Sequence, residues 1–507
     1  MPFAGARHLK RRTSRRLALA VLGAALAGCA VGPDFRRPDA PANTSYTPEP
    51  MPAATASSPG REGASQRFEA GKDIPDQWWA LFHSPALDEL VRDALAKSPT
   101  LGAAQAALRQ ARENLTAERG QLFPSIDAQL AGARERVSGA TVGVPGTNPE
   151  LTVINATLNA SYNLDVFGGA RRRIEGAASQ VDFARFELEA TYLTLTSSIV
   201  ATAIRDASLR AQLDATREIL AAEEGELAVV ERQHELGAVS RIGLLSQQTQ
   251  VAATRATLPA LEKARAQTRH QLAILAGRAP SDPDLPEFSL DQLTLPDELP
   301  LSLPSSLARQ RPDILAAEAT LHQASAQIGV ATAALYPQVA LTAQLGRSAG
   351  SWSALRSPDN TIWSLMAGIV QPIFHGGQLT AQRRAALAAY DQAAHQYRQT
   401  VLLAFANVAD ALRALDTDAT ALAAISDTDV FARKTLDLTA AQYRLGAVSY
   451  LALLDAQRQY RLAHINLVQA QADRLADTVD LFQALGGGWW NRTEPVAEVP
   501  AERGVSD

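Results

Sequence analysis

The sequence has a single cysteine, Cys29, so no disulfide can form within the chain. It has no run of eighteen apolar residues, although 46% of its residues are hydrophobic. Any membrane it meets is therefore not crossed by helices, which leaves strands or a covalent lipid. The signatures of catalysis are missing too. There is no Gly-x-x-x-x-Gly-Lys-Ser/Thr loop, no His-Glu-x-x-His and no Gly-x-Ser-x-Gly elbow, and the eight histidines are scattered. An enzyme is not expected, nor a metal or other cofactor. An excess of positive charge is lacking as well: the formal net charge is -5. That argues against nucleic acid as a partner, because phosphate binding needs clustered Lys and Arg.

The N-terminus is the one strongly basic stretch. Arg7, Lys10, Arg11, Arg12, Arg15 and Arg16 precede a short apolar run, Leu17 to Ala27, as in a secretory signal. Its removal takes the net charge from -5 to -11, six basic and no acidic residues being lost. The signal ends in Leu26-Ala27-Gly28-Cys29, which resembles a bacterial lipobox, so Cys29 is the expected lipidation site. Two or three acyl chains hold a protein firmly on a leaflet where one does not. Ala30 follows, where an aspartate would favour retention at the inner membrane, so outer-membrane lipid is the expected anchor point.

Proline is absent from Glu150 to Leu258 and from Ile373 to Glu494, whereas seven prolines fall between Pro33 and Pro59 and six between Pro280 and Pro304. Proline breaks helix interiors and marks loops and element ends, so the two gaps read as helical. The chain also repeats itself. Glu235-Leu-Gly-Ala-Val-Ser-Arg-Ile-Gly-Leu-Leu-Ser-Gln-Gln-Thr-Gln250 returns 209 residues later as Arg444-Leu-Gly-Ala-Val-Ser-Tyr-Leu-Ala-Leu-Leu-Asp-Ala-Gln-Arg-Gln459, with nine of sixteen positions identical. Phe123-Pro124 pairs with Tyr336-Pro337, and Phe167-Gly-Gly169 with Phe374-His-Gly-Gly377. The expected organisation is a signal at 1–28, a Pro-rich segment at 29–84, a first repeat at 85–277, a Pro-rich linker at 278–303, a second repeat at 304–487 and a tail at 488–507.

Within the first proline gap Ile174, Val181, Leu188 and Leu195 recur every seven residues, and Leu213, Leu220 and Leu227 continue a second row. A helix from Gly169 to Leu236 would be about 100 Å long, more than a globular domain needs. Gly237 then stops it and Ser240 caps the next, giving a tight helical hairpin that Gly446 and Ser449 repeat. Between helices the period changes to two. Ile154, Ala156, Leu158, Ala160, Tyr162, Leu164 and Val166 alternate with Asn155, Thr157, Asn159, Ser161, Asn163 and Asp165. Four strands are expected, at about 124–137, 151–166, 337–347 and 361–374, each long enough to span a bilayer when tilted. Their Gly- and Ser-rich connections, Ser138 to Glu150 and Arg347 to Thr361, suit extracellular loops. Four strands cannot close a barrel, and an open edge in lipid leaves backbone groups unsatisfied. Two chains would give a bore filled by side chains, whereas three could leave a lumen.

The lipobox followed by Val31-Gly-Pro-Asp-Phe-Arg-Arg-Pro38, the twin Leu-Gly-Ala-Val-Ser turns and Tyr450-Leu-Ala-Leu-Leu-Asp-Ala-Gln-Arg458 together resemble the TolC-like outer-membrane factors, in particular their OprM-like lipoprotein branch. The resemblance runs from Cys29 to about Trp490. It implies a mainly α chain with membrane β: a homotrimer in which four strands per chain make a 12-stranded β-barrel, set on a long α-helical barrel in the periplasm, with the Pro-rich segments in an equatorial belt. It implies an outer-membrane exit channel of a tripartite efflux pump for drugs or other small toxic molecules. The implied partners are a periplasmic membrane-fusion adaptor and an inner-membrane pump, commonly of the resistance-nodulation-division type. The adaptor would dock on the hairpin tips, Leu236, Gly237, Ala238, Val239 and Ser240 in the first repeat and Leu445, Gly446, Ala447, Val448 and Ser449 in the second. The residues matching the constricted periplasmic gate are Leu451, Asp455 and Arg458. Their repeat-one counterparts for the charged pair are Ser246 and Thr249, so one repeat alone carries it. Near a threefold axis three aspartates repel unless each is paired, which suits an iris; a solvated i, i+3 pair is the plain alternative. A type I protein-secretion channel shares this architecture, and a pore-less coiled-coil lipoprotein is a further alternative. His234 and His375 read as polar surface residues, and Arg171-Arg172-Arg173 with Arg383-Arg384 as either solvated or facing lipid headgroups or acidic neighbours.

Overall fold

The computed structural model describes residues 30–493 apart from 61, 139, 141, 142, 144, 147 and 149. Cys29 and the expected signal lie outside the described residues, as do the end of the tail and part of the 138–150 loop. The elements run β1 (Arg67–Ala70), α1 (Pro85–Lys97), α2 (Pro99–Gly120), β2 (Ser125–Arg136), β3 (Glu150–Leu164), α3 (Gly169–Glu235), α4 (Arg241–Leu275), β4 (Glu298–Leu301), α5 (Pro304–Gln310), α6 (Pro312–Ala333), β5 (Gln338–Ala349), β6 (Thr361–Val370), α7 (Gln378–Arg444) and α8 (Tyr450–Ala484). No helix among the described residues is long and apolar enough to cross a membrane.

The duplication is written into element lengths. α2 and α6 have 22 residues each, β2 and β5 have 12, α3 and α7 have 67, and α4 and α8 have 35. One expectation about proline is corrected: Pro259 lies inside α4 rather than at its end. Its ring lacks the N–H that would reach back one turn, but the partner positions of a long packed helix hold the rest of the ladder. The strands β2, β3 and β5 end within two residues of the expected bounds, whereas β6 ends at Val370, four residues before the expected 374, because Pro372 cannot donate to the ladder. Compactness cuts across the repeats. One unit collects residues up to Pro38, Leu108–Phe183 and Ala317–Tyr397; the other collects Asp39–Ala107, Ala184–Ala316 and the chain from Arg398. Each unit draws on both copies.

The first unit holds an antiparallel sheet in the order β2-β3-β5-β6. Its register lines up like with like. Ala128, Leu158, Leu345 and Trp363 form one apolar row across all four strands, and Ile126, Ala160, Ala343 and Leu365 form the next. Between them runs the polar row Asp127, Asn159, Gln344 and Ser364. Because side chains alternate, a whole face is oily and the other wet. The oily face is not covered: Ile126, Leu158, Leu345, Trp363, Leu365 and Ile369 are all exposed. In water that would cost on the order of 25 cal/mol for each Å²; in hydrocarbon it costs nothing.

The same unit fixes the residues after the expected signal. Val31 N–H donates to the Phe167 carbonyl at 3.0 Å. Arg172, almost fully buried, donates to the carbonyls of Val31 and Gly32 and to Asp34 and Glu175. Gly32 adopts φ +99° and sits where a Cβ would lie 2.5 Å from the Gly329 Cα, so only glycine fits. Phe35 stacks on His322 at 4.2 Å, and His322 meets Glu175 at 3.0 Å. Arg171 is held by Asp165. Two of the three arginines therefore face acidic neighbours, whereas Arg383 and Arg384 are exposed.

In the second unit the two Pro-rich segments meet: β1 pairs with β4 in parallel. Gln66, fully buried, donates to the Pro296 carbonyl and to Thr478. Arg474 on α8 is 0% exposed and donates to the carbonyl of Leu415 and to Thr55. Trp78 stacks on Phe482 at 5.3 Å, and Trp489 donates to the Gln310 carbonyl. Beside Arg474, burial and the hydrogen-bonded Asp418 carboxyl push Asp477 up to about 8, against the pull of Arg474.

Two outcomes follow. Leu345→Arg places a charge on the oily face and should cost about 2–4 kcal/mol at mid-bilayer depth, abolishing SDS-resistant protein in outer-membrane fractions, while Gln344→Arg leaves it in place. Asp477 binds its proton more tightly folded than unfolded, so its contribution is complete below pH 3.8 and is lost as pH rises through about 8. Melting temperatures across that window should fall for the native chain and fall less for Asp477→Asn.

Candidate functional site

The two helical hairpins end in the same turn. After α3, Gly237 adopts φ +74° and the Ala238 N–H bonds back to the Gln233 carbonyl at 2.9 Å; after α7, Gly446 adopts φ +71° and Ala447 bonds to Gln442 at 2.9 Å. This is the left-handed stop that glycine allows. Ser240 and Ser449, both extended, then cap α4 and α8 by accepting from the N–H groups of Gly243 and Ala452. His234 contributes to the first turn, its Nδ1 2.8 Å from the Val239 carbonyl. Leu236 and Leu445 project into solvent.

The hairpins are joined just behind the tips. Val230, Tyr450 and Leu453 form a small buried core, with Val239, Leu244, Leu436, Ala440, Tyr443 and Leu454 around it. A polar chain crosses this core. The Tyr450 hydroxyl donates to Gln247 Oε1 at 2.6 Å, Gln247 Nε2 donates to the Glu223 carbonyl at 2.9 Å, and Gln250 Nε2 donates to Glu223 Oε1 at 2.8 Å. Tyr443 donates to Gln233 at 3.1 Å, and Arg461 to Thr254 at 2.7 Å. Burial is the main cause that raises the Tyr450 phenol above its usual 10.0, with Glu226, Tyr443 and Glu223 adding to it. Burial likewise raises Glu226. The second carboxylate oxygen of Glu223 is buried without a hydrogen-bond partner.

Leu451, Asp455 and Arg458 lie on the opposite, exposed side of α8 from Tyr450, Leu453 and Ala456. Arg458 donates to Asp455 at 2.5 Å, with side chains 56% and 55% exposed. Such a pair is worth about 0–1 kcal/mol. In the first repeat Ser246 and Thr249 bond back to their own helix, to the carbonyls of Ile242 and Leu245. Among the described residues no group of His, Cys, Asp or Glu could hold a metal. Sequence reasoning picked out the exposed face and the turns but missed the buried chain of Tyr450, Gln247 and Glu223. A signal was present: Tyr450 stands where the first repeat has Arg241, and Gln247 where the second has Ala456, so the twin tips are complementary rather than identical.

An oily-faced sheet joined to paired helical hairpins defines an outer-membrane channel chain. Residues 90–278 and 303–487, the two repeats, each match the outer membrane efflux protein family, and the chain belongs to that family. It is 33% identical to the pyoverdine export outer membrane protein OpmQ of Pseudomonas aeruginosa, over 89% of this chain and 95% of that one. It is 31% identical to the toluene efflux pump outer membrane protein TtgC of Pseudomonas putida, over 95% and 97%. The outer-membrane channel OprN superposes with a TM-score of 0.82 at 28% identity, covering 91% of this chain and all of that one. The fold is TolC-like, the location is the outer membrane with a helical barrel in the periplasm, and the chain is an exit channel of an efflux system. These relatives are channels and not enzymes.

Tyr450→Phe leaves Gln247 unpaired in the core, which should cost about 1–3 kcal/mol. Hydrogen exchange should accelerate at amides of both tips and stay unchanged around Arg474; equal exchange everywhere would show that the tyrosine does not join the hairpins.

Proposed function

We propose that three copies of this chain form the exit duct of a tripartite pump for drugs or other small toxic molecules. The four-stranded sheet carries the reading: with an oily face and two open edges it is a fraction of a barrel, and closure needs further copies. Twelve strands leave room for a lumen where eight do not. In this reading Cys29 carries the lipid that fastens the chain to the outer membrane. Leu236 to Ser240 and Leu445 to Ser449 receive the periplasmic adaptor, their exposed leucines supplying the apolar contact. An inner-membrane pump of the resistance-nodulation-division type supplies the energy. Relatives named for the export of pyoverdine, toluene and antibiotics support small organic molecules as cargo.

Leu451, Asp455 and Arg458 form the gate. On each chain the arginine neutralises its own aspartate, so the mouth stays shut by apolar contact of Leu451 and by pairing that holds the like charges apart. Opening exchanges these weak exposed contacts, while the buried hydroxyl–amide links move with the hairpins. Asp455→Ala and Arg458→Ala should each raise ion conductance through planar bilayers by several-fold. Near-zero conductance in every variant would count against both channel and gate. Deleting the gene should sensitise cells to several unrelated small molecules while protein secretion continues; lost secretion with unchanged sensitivity would instead mark a type I secretion channel.

A further inference from the structure

The oily wall of the sheet stops at an arginine. All four strands join their long helices at one end, so the β2–β3 and β5–β6 connections lie at the other, away from the periplasm. From the foot, where Leu164 faces Val339 and Val339 faces Ile369, apolar rows follow one another up to Leu158, Leu345 and Trp363. The next row sets Arg347 between Ala156 and Thr361. Two positions past Leu345, it lies on the same side and is the first charged residue met on that wall from the foot. From Val339 to Arg347 is about 27 Å along a strand. Tilted, that is about 20 Å of height, close to the roughly 25 Å of an apolar band, at whose edge a charge facing lipid ceases to be costly.

A second arginine is held beside it. One terminal guanidinium nitrogen of Arg347 donates to the carbonyls of Arg356 at 2.9 Å and Leu355 at 3.4 Å. Asn360 closes the same turn on the Ala354 carbonyl at 2.6 Å. Both arginines are exposed, and among the described residues neither forms an ion pair, whereas Arg134, further out on the wall, is matched by Glu150. Two like charges drawn together with no acid between them suit an anion, and the planar fork of arginine matches phosphate. We propose that Arg347 and Arg356 bind a phosphate of the outer-leaflet lipid, a phosphorylated glycolipid whose acyl chains lie on the apolar rows beneath. Leu345 and Trp363, exposed in the row next to Arg347, supply that apolar surface, which a free phosphate ion does not use. An arginine that merely ties down its turn leaves the Arg356 side chain without a role, since the turn uses the Arg356 backbone alone.

The test is the affinity of the purified protein, in a neutral detergent at low ionic strength, for lipid A carrying both its phosphates. It reads the site whatever the number of copies in the barrel or the cargo of the duct. Arg356→Gln, which leaves the turn's hydrogen bonds in place, should weaken binding about tenfold, and the Arg347→Gln, Arg356→Gln chain should weaken it further. Arg383→Gln, on α7 beyond the opposite end of the sheet, should bind like the native chain. Removing both phosphates from the lipid should weaken its binding to the native chain as much as the double substitution does. Equal affinity for the dephosphorylated lipid would show acyl contact alone and overturn the site. Inorganic phosphate bound as tightly as the lipid would overturn the lipid as its ligand. Unchanged affinity in both arginine variants, or no binding by the native chain, overturns the proposal outright.

Discussion

In hydrocarbon an unpaired peptide group has no solvent to fall back on, and a four-stranded sheet has two rows of them. That constraint, with each lost partner costing several kcal/mol, governs everything else in the molecule. It makes the lone chain an incomplete object. It explains why the oily rows run unbroken from β2 to β6, since a charged residue in one strand would sit in lipid on a wall it shares with its neighbours. It also fixes what the helices must do, because the chain enters and leaves the sheet through α2, α3, α6 and α7.

At the tips two kinds of contact differ in scale. The Asp455–Arg458 pair is exposed and adds at most about 1 kcal/mol. The Tyr450–Gln247–Glu223 chain is buried, and breaking one link strands a polar group for about 1–3 kcal/mol. A mouth that opens needs weak contacts where surfaces part and strong ones where they travel together. In the proposed gate, the observed division, charges outside and hydroxyl–amide links inside, would supply both. The asymmetry between repeats serves the same end: one tip offers the tyrosine and the other the glutamine that receives it.

Much of this was legible in the sequence. Proline gaps showed where the long helices lie, because a proline inside a packed coiled coil is costly, and the seven-residue rows with the Gly turn set the ends of α3 to within a residue; Pro259 escaped the rule within the shorter α4. Period-two runs located the strands, and the Gly and Ser pairs located the turns, since left-handed glycine and a capping hydroxyl are local chemistry. What stayed hidden was long-range. Nothing near Arg172 in sequence says that its partners are Val31, Gly32 and Asp34. Nothing near Arg474 points to Leu415 and Thr55. Compact units built from interleaved segments were hidden for the same reason: repeats are inherited along the chain, whereas packing is settled in space.

The clasp around Arg172 bears on how a lipid anchor at Cys29 would work. Ala30 lies against Gly168, and Val31 is bonded to Phe167, three residues past the end of β3. An acyl group on the preceding residue would have almost no leash. Instead of tethering a channel that drifts beneath the bilayer, it would act as a fixed pin at the foot of a membrane strand.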